Sequence, residues 1–170
     1  MSTEMSPDGK FRIFNWNIEL SNQRQYYECW ILMKNLTVLK LNDFKNDIPE
    51  IEYATLDGNS WFGALYYSII PKIRKNKTVY TLLGWDGNNM FSNKKIIESM
   101  SISKKNKILF GLPIFKYSDG KTKKRVIFQY SKQSYMSLKH RQARKQDYLI
   151  FDHLIPPSPH LEEFADWYVT

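Results

Sequence analysis

The groups best suited to chemistry in this chain are scattered carboxylates. Glu52, Asp57, Asp86 and Glu98 would serve glycoside hydrolysis if two of them faced each other about 5–10 Å apart, but nothing in their spacing favours a pair. Asp152 and His153 are adjacent at the end of a strand-like run. Neighbouring strand residues point to opposite faces, so these two cannot share a proton as an acid–base pair. Three histidines and the single cysteine, Cys29, follow no metal-ligand spacing. Asp86-Gly87-Asn88-Asn89 clusters hard oxygens of the kind that suit Ca²⁺, without the spaced acids and distal Glu of an EF-hand loop. It reads first as an Asx-type turn, with Trp85, Asp86, Asn88 and Asn89 as a ligand-binding candidate. There is no Gly-x-Ser-x-Gly, no phosphate loop and no dinucleotide fingerprint. The expectation is a non-enzyme without a cofactor.

The cations carry a stronger pattern. The net charge is +8 over 170 residues, but it divides into −3 for residues 1–60, +15 for residues 61–150 and −4 for residues 151–170. The basic residues come in bursts. Lys72, Arg74, Lys75 and Lys77 form one; Lys104, Lys105 and Lys107 another; Lys121, Lys123, Lys124 and Arg125 a third; Lys139, Arg141, Arg144 and Lys145 a fourth. Each burst adjoins a strand-like run and so reads as a hairpin tip or loop, where lysines keep the chain solvated and guard sheet edges. If the tips share one end of the sheet, they form a surface for a polyanion: nucleic acid, anionic lipid or acidic polysaccharide. If they alternate ends, they do not.

Aromatic residues make up 15% of the chain. Trp16, Trp30, Trp61 and Trp85, with Tyr66, Tyr67 and Tyr80, would line a carbohydrate or peptide platform if two or three were exposed together, and would otherwise form the core. Cys29 stands in an aromatic run and reads as a buried, inert thiol. One thiol allows no internal disulfide.

A chain of this length forms one domain with a real core. Alternating apolar and polar residues predict about nine strands joined by short turns, with one or two short helices. Pro7-Asp8-Gly9 marks a turn before a strand from Lys10. Residues Gln25–Lys34 and Leu36–Leu41 read as the next two strands, and residues 42–50 as a loop. Tyr66–Ile73 and Thr78–Leu83 read as a hairpin closed by the polar turn Arg74–Lys77 and followed by a turn cluster over Gly84–Asn89. Ser92–Ser99 is the best helix candidate, capped by Ser92 or Asn93. Ile108–Phe115 is a strand interrupted by Gly111 and Pro113, hence an edge or bulge. Asp119-Gly120 signals a type I′ hairpin leading to Arg125–Tyr130. Ser134–His140 and Asp147–Leu154 make the last strands. The fold class is therefore all-β and mainly antiparallel: a meander in a barrel, sandwich or propeller-like sheet over residues 1–154. Residues 155–170 form an extended tail with a short helical turn near His160–Tyr168.

Ser6–Trp16, Trp61–Tyr67, Tyr80–Asn89, Val126–Ser131, Met136–Leu138 and Ile150–Leu154 together resemble a family of uncharacterised Bacteroidetes proteins. Of these pieces, Gly84-Trp85-Asp86-Gly87-Asn88-Asn89 is the most specific. The resemblance implies a β-rich, exported protein of the periplasm or outer membrane, and carries no activity or functional residues with it. The first residues lack the apolar core of a signal peptide, so the chain reads as a fragment or processed piece, and no stretch approaches the length of a membrane-spanning helix. The leading expectation is a non-catalytic envelope module that scaffolds or binds a protein partner, such as a membrane-protein complex. The alternatives are a polyanion-binding module acting through residues 61–150 and a carbohydrate-binding or carbohydrate-active protein.

Overall fold

The computed structural model describes residues 2–44 and 48–170; part of the loop read over 42–50, residues 45–47, lies outside the described residues. The first four strands, β1 (Ser2–Met5), β2 (Phe11–Glu19), β3 (Gln25–Met33) and β4 (Val38–Asn42), form an antiparallel meander. The alternation along β2 decides its two faces. Phe11, Ile13 and Asn15 are buried, whereas Arg12 is exposed and Phe14 and Trp16 are half-buried.

A second sheet holds β5 (Leu56–Asp57), β6 (Leu65–Arg74), β7 (Lys77–Asp86), β8 (Ser92–Ile102), β9 (Ile108–Phe110) and β12 (Arg125–Ser131). Strand β8 pairs along one side with β7. On its other side it pairs with β12 over Ser92–Glu98 and with β9 over Met100–Ile102. Two short strands, β10 (Phe115–Lys116) and β11 (Thr122–Lys123), pair with each other, as do β13 (Leu138–Ala143) and β14 (Gln146–Phe151).

The central sheet is covered on both faces. Leu82, Ile96, Met100 and Phe110 pack against Phe11, Ile13, Cys29 and Ile31 of the first sheet. On the opposite face, Leu83, Ile97 and Val126 pack against Leu138, with Leu149 beside them, so the β13–β14 hairpin forms a third layer. All-β and antiparallel is thus correct, and among the alternatives the arrangement is a layered sandwich rather than a closed barrel.

Several expectations are corrected. Residues Ser92–Ser99 are not a helix but most of β8. Their apolar residues are too few for a helix face, and ladders on both sides override the weak local cap signal. The turn expected over Arg74–Lys77 contracts to Lys75-Asn76, both at positive φ, because Arg74 and Lys77 still pair. Gly84, Trp85 and Asp86 belong to β7 rather than to the turn that follows. The Asp119-Gly120 turn is not type I′. Gly120 alone has positive φ, Gly120 N–H donates to Tyr117 O, and Tyr117 N–H donates to Lys121 O, giving a three-residue loop with a terminal left-handed glycine.

The run Ile108–Phe115 divides into β9 and β10 at Gly111. A Cβ there would stand 2.4 Å from the Ala54 carbonyl oxygen, and φ is +83°. Strand β13 begins at Leu138 rather than Ser134. The tail contains two 3₁₀ turns, Pro159–Leu161 and Ala165–Trp167, and folds back on β12: Ser131 N–H donates to Tyr168 O, and Gln129 Nε2 donates to Asp166 Oδ1 at 2.5 Å.

Candidate functional site

Strand register decides whether the basic bursts share an end. Arg74 pairs with Lys77 at the β6–β7 tip, and Val79, two residues further on, pairs with Ser101 near the end of β8. Ile102 pairs with Ile108 across the β8–β9 turn, so Lys104, Lys105 and Lys107 emerge beside Lys75 and Lys77. Asp147 at the start of β14 forms an ion pair with Lys72 on β6, which brings the β13–β14 tip, Arg144-Lys145, to the same end. The first sheet adds two more cations. Lys10 Nζ donates to Thr78 Oγ1 at 3.0 Å, Lys34 N–H donates to Lys10 O, and Asn106 Nδ2 donates to Thr37 Oγ1 at 3.2 Å. Five turns from both sheets and the outer hairpin therefore meet at one end, and the cations named there are exposed. Lys139 and Arg141 lie further along β13, also exposed.

The third burst, Lys121 to Arg125, is not part of this end. Arg125 is wholly buried on β12, where it forms an ion pair with Glu98. Its Nε donates to Glu98 Oε1 at 2.5 Å and its Nη1 to Ile51 O. Tyr66 OH donates to the other Glu98 oxygen, and Trp61 Nε1 donates to Tyr66 OH at 2.8 Å. Arg125 thus satisfies a buried carboxylate and cannot reach a polyanion, contrary to the reading of it as a loop cation. Lys123 bonds Glu52 at 2.6 Å, Lys124 bonds Thr55 at 2.7 Å and Lys121 lies 3.7 Å from Asp119, all at the lateral edge of the sheet.

Among the described residues, two carboxylates temper the basic end. Asp147 accepts from Lys72 and lies 2.7 Å from His140 Nε2; these two hydrogen bonds hold its carboxyl below the usual range. Asp8 lies 3.1 Å from Lys10 Nζ and accepts from Tyr80 OH at 2.9 Å. Burial opposes its ionisation, but bonds from Tyr80, Lys10 and Ser6 outweigh that and lower its pKa.

Between the two sheets, at the mouth of the sandwich, lies a cavity of about 400 Å³. Lys10, Lys77 and Lys104 stand around it together with the hydroxyls of Thr78, Ser101 and Ser103. Met33, Tyr80 and Ile102 supply its apolar surface.

This end also carries the two most exposed large apolar side chains among the described residues, Ile73 at 82% and Leu36 at 80%. Ile73 pairs with Thr78 beside the β6–β7 tip, and Leu36 occupies the β3–β4 turn. Exposure was not readable from either sequence: Ile73 continues an apolar strand, and only the register leaves its last residue without a neighbouring layer.

The other candidates stand apart. Asp86 is buried, and Tyr27 OH and Asn88 N–H both donate to its Oδ1, at 3.0 and 2.9 Å. Asn89 Oδ1 accepts from the N–H groups of Phe91 and Ser92, and Asn88 Nδ2 donates to Ser92 Oγ. Their hydrogen-bonding groups shape the β7–β8 turn, at the end opposite the cations; Trp85 beside them is half-buried. Glu52, Asp57, Asp86 and Glu98 do not converge: Asp57 holds the turn to Ser60, and the others have the partners already named. Among the described residues no group of three or more His, Cys, Asp or Glu side chains is placed to hold a metal, and no helix is long and apolar enough to cross a membrane.

Of the aromatic set, Trp61, Tyr66 and Tyr80 are core. Trp16 and Trp30 instead share the outer face of the first sheet with Phe14 and Tyr26. Cys29 is buried, and burial pushes its thiol pKa up. The chain matches no protein-family model, no curated protein and no solved structure.

Proposed function

We propose that this chain is a non-catalytic binding module that docks its basic end on an anionic lipid surface, consistent with an exported, envelope-associated protein. The observation that supports it is the coincidence, at one end of the sandwich, of the basic turns and the two most exposed aliphatic side chains. A lysine near an anionic membrane contributes about 1 kcal/mol, and the contribution decays within a Debye length. Aliphatic tips flanked by cations enter the headgroup region while the charges stay at its surface. A single-stranded nucleic acid site would instead place stacking aromatics among the cations.

Flotation with phosphatidylglycerol–phosphatidylcholine vesicles tests this reading. The chain is expected to bind the anionic vesicles and not neutral ones, with binding falling steeply as salt rises. The double variant Ile73→Asp/Leu36→Asp is expected to lower affinity by about a hundred-fold or more, given about 1.5–3 kcal/mol for full burial of each side chain. Salt-insensitive binding, or binding to duplex DNA with none to vesicles, would count against it.

A protein-partner role is favoured by a separate feature, the outer face of the first sheet, where Phe14, Trp16, Tyr26 and Trp30 lie side by side and Met5, Ile18 and Val38 are exposed. A photo-crosslinker at position 30 in the native envelope would yield one discrete adduct on this reading, and diffuse labelling would oppose it.

A further inference from the structure

We propose that the cavity at the mouth of the sandwich is a phosphate site that takes a phosphomonoester. The inference rests on the docking of the basic end and names the group recognised there. Lys10, Lys77 and Lys104 bring three ammonium groups to one concave site, and the Asp8 carboxylate beside Lys10 cancels one of them. The remaining two positive charges match a phosphomonoester, which carries −1.5 to −2 at neutral pH, better than the single charge of a diester. Thr78, Ser101 and Ser103 add hydroxyl donors to the same walls. Thr78 and Ser101 come from adjacent strands, β7 and β8, whose pairing of Val79 with Ser101 fixes their separation, and Ser103 follows in the β8–β9 turn. At about 400 Å³ the cavity exceeds what a bare phosphate fills, and it falls within the range of small-molecule sites. Met33 and Ile102 offer apolar contact to the organic part of the ligand. The shared chemistry is the phosphate monoester itself, whether it is borne by a lipid headgroup or by a soluble metabolite.

The test titrates the chain with glycerol 3-phosphate and with dimethyl phosphate, following amide shifts by NMR. Saturable shifts at Thr78, Ser101 and Ser103 are expected with the monoester, and much weaker ones with the diester. Lys77→Ala and Lys104→Ala should each weaken monoester binding roughly five-fold, on the scale of one cation at an anionic surface. Asp8→Asn should tighten it several-fold, an outcome that misfolding cannot imitate. Absence of saturable monoester binding, or binding that ignores all three substitutions, overturns the proposal. Vesicles with and without a phosphomonoester lipid separate the sources. Tighter binding to the monoester vesicles assigns the site to a headgroup, and glycerol 3-phosphate binding without that gain assigns it to a soluble ligand. Retained phosphatidylglycerol binding without monoester binding removes this site and leaves the docking of the basic end in place. Monoester binding without any vesicle binding does the reverse.

Discussion

The two ends of the sandwich are built on opposite principles. At the β7–β8 end, polar side chains turn inward and bond the backbone. Asp86 joins Tyr27 to Asn88, Tyr27 OH accepts from Gly87 N–H, and Asn89 accepts from two further amides. The acidic tail packs on that end through Asp166 and Tyr168. At the β6–β7 end, most of the cations point to solvent, and the tightest turns are held by the backbone alone. Both β6–β7 and β13–β14 close through two residues at positive φ, Lys75-Asn76 and Arg144-Lys145. Asn-Gly is the favoured pair at such positions, and left-handed backbone costs a side-chain-bearing residue about 1–2 kcal/mol. Keeping Arg and Lys there places charge at the tip at the expense of stability, a pattern that goes with function more than with folding.

Substitutions should sharpen this contrast. The largest effect is expected at the braced end. Asp86→Ala strands the buried hydroxyl of Tyr27 and the amide of Asn88, and chemical denaturation should show a loss of about 3 kcal/mol, with vesicle binding unchanged. A smaller effect of opposite sign is expected at the basic end. Arg144→Asn/Lys145→Gly should raise stability by about 1–2 kcal/mol through relief of left-handed strain. The same pair should lower vesicle affinity by more than ten-fold, since it removes two cations worth about 1 kcal/mol each. Loss of stability in that variant, or unchanged binding, would break the contrast.

Much of the fold was legible in the residues and their spacing. The period-2 alternation of Phe11, Ile13 and Asn15, the Pro7-Asp8-Gly9 turn and the long β6–β7 hairpin all follow from local chemistry. Strand β8 was not legible. Its sequence Ser92-Asn-Lys-Lys-Ile-Ile-Glu-Ser carries a cap signal and charged residues, and only two-sided pairing makes it a central strand. Glu98 and Arg125 misled for a related reason: charged residues read as surface, yet here each answers the other inside the core. The basic bursts were visible as a pattern, but their meaning depended on which turns share an end, and that is a property of long-range register. Three of the four converge, and Lys10 and Lys34 join them from turns that showed no burst at all.

On the proposed docking, the basic end meets the anionic surface and the braced end does not. Cys29 is the one native thiol and is buried, so single introduced cysteines report cleanly. An environment-sensitive fluorophore would be attached at Ile73→Cys on the basic end and, in a separate variant, at Met90→Cys on the braced end. On addition of anionic vesicles, the label at position 73 should shift to the blue and become shielded from an aqueous quencher, while the label at position 90 should stay unchanged. Equal shifts at both positions, or a shift at position 90 alone, would contradict the account.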